Sequence, residues 1–123
     1  NHSYSTTSDE QYQLYIQHQW MGGEEPFMIV NKIPLGFIIE DMGIEYIDVL
    51  SLDTEGTELE ILQTFDINKY PPKIAIIESH KNHPLEGFGR FANDINTHLW
   101  NAGYKTIYED VVNAIYISKE LQK

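Results

Sequence analysis

The 123-residue sequence contains no cysteine. That excludes a disulfide framework and any thiolate-ligated zinc, and it leaves the redox compartment open. Basic residues are also scarce: 8 lysines and arginines stand against 19 aspartates and glutamates, a formal charge of −11. A surface of that sign repels a nucleic-acid backbone and an anionic membrane, so neither is expected as the main partner. Solubility alone accounts for much of such a charge. No apolar run approaches the ~20 residues of a membrane span, and no signal peptide is visible. These absences lead to the expectation of a cytoplasmic protein. The chain opens on Asn1 rather than methionine, which fits a processed chain or part of something longer.

What is present is an ordinary apolar fraction of 41%, enough for one domain with its own core. There is no internal repeat, low-complexity tract or second domain. Residues 1–26 form a polar segment rich in Ser, Thr and Gln. Within it Tyr12, Tyr15, Ile16 and Trp20 share one short helical face or pin a loop, and residues 22–26 form a turn. Phe27-Met28-Ile29-Val30 reads as a short strand. Pro34 then suits the first turn of a helix carrying Leu35, Ile38, Ile39 and Met42 inward, with Gly43 as its stop.

The most informative stretch follows. Residues 47–52 are a short apolar run, suited to an interior strand of a parallel sheet. The run ends in Asp53-Thr54-Glu55-Gly56, and a helical pattern begins at once, with Leu59, Ile61, Leu62 and Phe65 on one face. Thr57 as N-cap and Glu60 reaching back would make a capping box, with Glu58 and Glu60 in the first helical turn. The acids therefore sit at the carboxyl end of a strand beside a helix, where open α/β sheets bind ligands. After the break Tyr70-Pro71-Pro72, residues 73–77 form a second buried strand that ends in Glu78-Ser79-His80. Strand, helix and strand make a βαβ unit, so Asp53, Glu55, Glu78 and His80 are expected on one rim.

Past a loop at 81–87, Phe88, Phe91, Ile95, Leu99 and Ala102 recur at helical spacing up to Gly103. Two closing strands, 104–108 and 114–117, are joined by a link too short for a crossover and must be antiparallel. The fold class is α/β: a parallel sheet with a closing antiparallel hairpin.

That arrangement, and above all Tyr46 to Leu62 with its Asp53-Thr54-Glu55-Gly56-Thr57-Glu58 core, resembles the signature of FkbM-type S-adenosylmethionine-dependent methyltransferases. Ile33-Pro34-Leu35 is similar to the segment that precedes the signature, and 73–80 to the family's next strand, which also ends in Glu. The resemblance covers roughly 27–118 and implies the C-terminal half of a Rossmann-like class I methyltransferase fold, with 119–123 as a tail. It implies S-adenosylmethionine as cofactor and O-methyl transfer to a small-molecule or sugar hydroxyl. It also implies catalytic roles for Asp53, Glu55, Glu78 and His80, and cofactor contacts from Asp53 and Gly56. Such enzymes hold the cofactor mainly through a Gly-rich turn after the first strand and an acid after the second. Neither is found here, and Gly22-Gly23 neither follows a strand nor opens a helix. The resemblance thus implies a fragment or truncated relative that binds the cofactor poorly alone.

Other readings stand beside it. Asp53 either orients an acceptor hydroxyl or a metal, or it braces the loop, and Glu55 has the same choice. Gly56 permits a tight turn without any chemistry. A neutral imidazole at His80 suits removal of a hydroxyl proton, while an exposed turn histidine needs no function. His83 and His98 are expected at the surface and Trp100 in the core. No metal site is assigned, because the spacing of His80, His83 and the acids does not establish one. Asp53-Thr54-Glu55 is also similar to the first metal-binding motif of DEDD-type 3′–5′ exonucleases, with Asp94 and Asp110 as further acids. Against that stand the helical pattern after the motif and the lack of basic groups. A non-catalytic interaction module remains, its open sheet edge inviting self-association or pairing with a missing N-terminal half.

Overall fold

The computed structural model describes residues 31–123. The expectations for 1–26 and for the strand 27–30 lie outside the described residues. A short helix α1 (Leu35–Asp41) follows Pro34, and the chain leaves it through Gly43 at φ 65°. Strand β1 (Val49–Leu52), helix α2 (Glu58–Gln63) and strand β2 (Ile74–Glu78) come next. Helix α3 (Ala92–Asn101) leads into the hairpin β3 (Lys105–Glu109) and β4 (Asn113–Ile117), and a 3-10 turn follows at Lys119–Gln122.

The four strands lie in the order β1-β2-β4-β3. β1 and β2 are parallel, with Val49 opposite Ile74 and Leu52 opposite Ile77. β4 runs antiparallel to both β2 and β3, and β3 carries an irregularity between Thr106 and Tyr108. The antiparallel closing pair follows from its short link, as the sequence requires.

One sheet face carries the core. Ala75 and Ile77 of β2 and Ala114 and Tyr116 of β4 are buried at alternating positions, the period a strand imposes. They join Leu62 of α2, Ile95 and Leu99 of α3 and Ile39 of α1 in one cluster. Burying those side chains removes roughly 1.5–3 kcal/mol each of unfavourable hydration for the larger aliphatics. Two tyrosines anchor the layers by their hydroxyls. Tyr116 donates to the side-chain oxygen of buried Asn96 on α3, and Tyr104 donates to the carbonyl of Pro72 at 2.5 Å. Burial pushes both phenols up to about 12.

Among the described residues β1 is the edge of the sheet, with Val49 52% exposed, and the strand expected at 27–30 lies outside them. Three expectations need correction. In α1 only Ile39 is buried, while Ile38 and Met42 face outward, because a helix of seven residues presents one short stripe and Met42 already lies in the turn beyond it. α3 starts at Ala92 rather than at Phe88; Gly87 and Gly89, at φ 89° and 73°, break the helical path before it. Trp100 is half exposed on that helix, its indole N–H donating to Thr106 Oγ1 at 2.9 Å.

Candidate active site

The register that ends with Leu52 opposite Ile77 leaves Asp53 and Glu78 side by side at the carboxyl rim of two parallel strands. The chain after β1 then turns back on itself. Glu55 has φ 55° and Gly56 φ 114°, so a left-handed step brings the Glu55 carboxylate over the same rim. One carboxylate oxygen from each of Asp53, Glu55 and Glu78 lies within 4.8 Å of the others. A hard cation could bridge acids at that spacing, and a shared proton satisfies it as well.

The protons are distributed unevenly. Asp53 is raised to about 6, first by its hydrogen bond with Glu78, then by burial and the neighbouring negative charges. Glu55 is raised to about 7, first by burial and then by the charge of Glu78. For Glu78 burial is the largest influence and pushes upward, but the hydrogen bonds from His80 and Asp53 outweigh it and hold the group low. Burial likewise pulls His80 down, yet its bond to Glu78 and the charges of Glu78, Glu55 and Glu58 leave it raised. Glu78 is therefore the anion of the group, with a proton donor on either side.

His80 Nε2 lies 2.6 Å from Glu78 Oε1. Its backbone is also left-handed, at φ 51°, and Glu55 and His80 are the only non-glycine residues with positive φ among the described residues. Both are rim residues, and such conformations cost on the order of 1–3 kcal/mol each. Two contacts hold His80 there. The amides of Ser79 and His80 both donate to the Val112 carbonyl, at 3.0 and 3.1 Å, and Gly89 packs so closely that a Cβ would overlap the His80 carbonyl. The ring is met edge-on by His83 and Phe88, at centroid distances of 5.4 and 5.8 Å. His80 is thus no exposed turn histidine. Its Nδ1 is buried without a hydrogen-bond partner. His83, expected at the surface, is partly buried and stacks on Phe88 at 4.7 Å, with Nδ1 accepting from the Leu85 amide. His98 is partly buried too.

The expected capping box does not form. Thr57 makes no side-chain cap bond to the α2 backbone; its hydroxyl donates to Thr54 Oγ1 at 2.9 Å, while Glu60 is drawn outward to Lys32 at 2.6 Å. Glu58 fastens the loop instead. Its Oε2 accepts from the Thr54 amide at 2.6 Å and from Thr54 Oγ1 at 2.8 Å, and Oε1 accepts from the Gly56 amide at 3.2 Å. The acids invoked for an exonuclease stay apart from this cluster. Asp94 is exposed on α3, and Asp110 accepts from the Val112 and Asn113 amides in its own turn.

Sequence reasoning missed Glu58 and Gly89. The signal for Glu58 was its place in Asp53-Thr54-Glu55-Gly56-Thr57-Glu58, where a long side chain can reach back to the turn; for Gly89 no local pattern exists. Compared with known proteins, residues 2–106 match the methyltransferase FkbM domain. The match begins upstream of the residues that carry the resemblance and ends in β3. No curated protein and no solved structure matches the chain.

Proposed function

The chain belongs to the methyltransferase FkbM domain family, and from that premise we propose that it supplies the acceptor side of a site for S-adenosylmethionine-dependent methyl transfer to a hydroxyl of a small molecule or sugar. The strand order and the antiparallel closing pair support the C-terminal half of a Rossmann-like fold as its frame.

The residues fit one side of the cofactor. S-adenosylmethionine carries a sulfonium and an amino group, both cationic, and the exposed Asp53 carboxyl at the rim is a suitable counter-charge once it ionises, above about pH 6. Gly56 offers no amide, because its N–H is already given to Glu58. No Gly-rich turn follows a strand among the described residues, so the adenosine contacts are not assigned to them. When bound, the cofactor supplies an electrophilic methyl group.

The remaining work falls to the chain. An attacking hydroxyl must shed its proton, and Glu55, with a pKa of about 7, is matched to accept one near neutral pH. His80 is less suited: Nε2 is engaged by Glu78, and Nδ1 is buried. It holds Glu78 ionised, and that negative charge in turn raises Glu55. The single observation that carries the proposal is this convergence of Asp53, Glu55 and Glu78 on one rim.

The test is transfer of a labelled methyl group to a panel of hydroxyl-bearing small molecules and sugars, by the protein that carries these residues. Label should enter a hydroxyl, and Glu55→Gln should slow transfer about 10²-fold or more. Undiminished transfer in Glu55→Gln contradicts the assignment. The reading as a non-catalytic interaction module is favoured by one observation, the exposed apolar set Phe37, Met42, Tyr46 and Val49 on α1, its following turn and the β1 edge. It predicts no transfer to any acceptor.

A further inference from the structure

Glu58 is 5% exposed, yet no lysine or arginine pairs with it among the described residues. A carboxylate is costly to bury unless hydrogen-bonded donors replace its water. All three donors that do so come from the loop carrying the rim acids: the Thr54 amide, the Thr54 hydroxyl and the Gly56 amide. The two amides lie one on each side of Glu55. One carboxylate therefore grips the backbone before and after the residue that is held in the left-handed conformation. A cap serving only the helix would bond the first amides of α2, and Glu58 bonds none of those.

We infer that Glu58 is a positioning residue: its carboxylate brackets Glu55 through Thr54 and Gly56 and so aims the Asp53 and Glu55 side chains at the Glu78–His80 pair. The inference rests on the reading of that rim as the site of methyl transfer. Thr57 extends the bracket, since its hydroxyl donates to Thr54 Oγ1 and leaves the Thr54 proton free to point at Glu58. Glu58 also adds a negative charge that raises Asp53, Glu55 and His80. Geometry and charge can be separated in part, because a glutamine keeps the one oxygen that accepts from Thr54 and loses the charge and the Gly56 acceptor, whereas an alanine loses every contact.

His80 reports on the arrangement. It is faced by Glu78 of β2, by Asp53 and Glu55 of the loop, by Glu58 of α2 and by His83 of the following loop. The experiment is an NMR titration of the His80 ring Cε1–H signal in the 123-residue chain, comparing wild type, Glu58→Gln and Glu58→Ala. A bracket predicts that the midpoint falls in both variants, and at least twice as far in Glu58→Ala as in Glu58→Gln. The Thr54 amide signal should lose its hydrogen-bonded shift in Glu58→Ala alone, and the Gly56 amide signal should move in both variants. Equal shifts in the two variants, or none in either, overturn the inference. If Glu58→Ala does not fold, Thr54→Val decides: it keeps the Glu58 charge, and an unmoved His80 midpoint in it overturns the bracket. The titration needs neither cofactor nor acceptor. Expected titrations without methyl transfer would sink the functional reading alone, and the reverse result would sink the bracket alone.

Discussion

Asp53 and Glu78, from neighbouring parallel strands, bring one carboxylate oxygen each to within 4.8 Å at a common rim, where the two groups can share a proton. Two carboxylates cannot bond without a proton between them, so one of the pair must hold a proton when the bond exists. His80 decides which. By bonding Glu78 at 2.6 Å it stabilises that anion and leaves the proton on Asp53, raised to about 6. Glu55, facing the same anion, is raised to about 7.

The first expected outcome concerns stability and pH. Asp53 and Glu55 have folded values above their ordinary 3.8 and 4.5, so the stability they contribute is complete below those values and is lost as pH rises through about 6 and about 7. His80 acts in the same direction, losing its contribution as pH rises above 6.5 through its raised folded value. Glu78, held low, acts oppositely, and its contribution is lost on acidification below 4.5. The chain should therefore lose stability between about pH 4 and pH 7.5. Glu55→Gln should flatten that fall and gain about 1–2 kcal/mol at pH 8, after discounting for solvent screening. Denaturant unfolding across this pH range measures both effects.

Gly89 gives a second. An added methyl group would overlap the His80 carbonyl, in a backbone conformation at φ 73° that disfavours any side chain. Gly89→Ala should cost roughly 1–3 kcal/mol. It should also move the His80 ring signal, whereas a loop with slack would show neither change.

A third concerns the cofactor. No Gly-rich turn follows a strand and opens a helix among the described residues, and the described rim offers a counter-charge but no cradle for adenosine. Calorimetric titration of the 123-residue chain with S-adenosylmethionine should show no micromolar binding. A micromolar constant would mean that these residues hold the cofactor by another route.

The pairing of Asp53 with Glu78 was legible because it needs only two short apolar runs and a helical link, which force parallel strands and a common rim. β2 was legible for a similar reason: Ala75 and Ile77 face the core, and Ile74 and Ile76 are partly covered on the other side. The run at 47–52 is equally apolar and yet sits at the edge of the described sheet, because composition does not encode which strands flank a strand. His80 looked like a turn residue since its cover, His83 and Phe88, comes from a loop whose path is set by Gly87 and Gly89. By sequence alone Glu58 is one more helix-start acid. Its true partners depend on the left-handed step at Glu55, which no propensity favours in a non-glycine residue.

The central claim, that Glu55 accepts a proton during methyl transfer, meets its most direct test in the pH dependence of the transfer rate. With Glu55 as acceptor, the rate of the wild-type protein should rise through one ionisation near pH 7 and then level off. In Glu55→Gln that ionisation should vanish and the residual rate should be flat across the same range. A variant that keeps the wild-type profile would contradict the account.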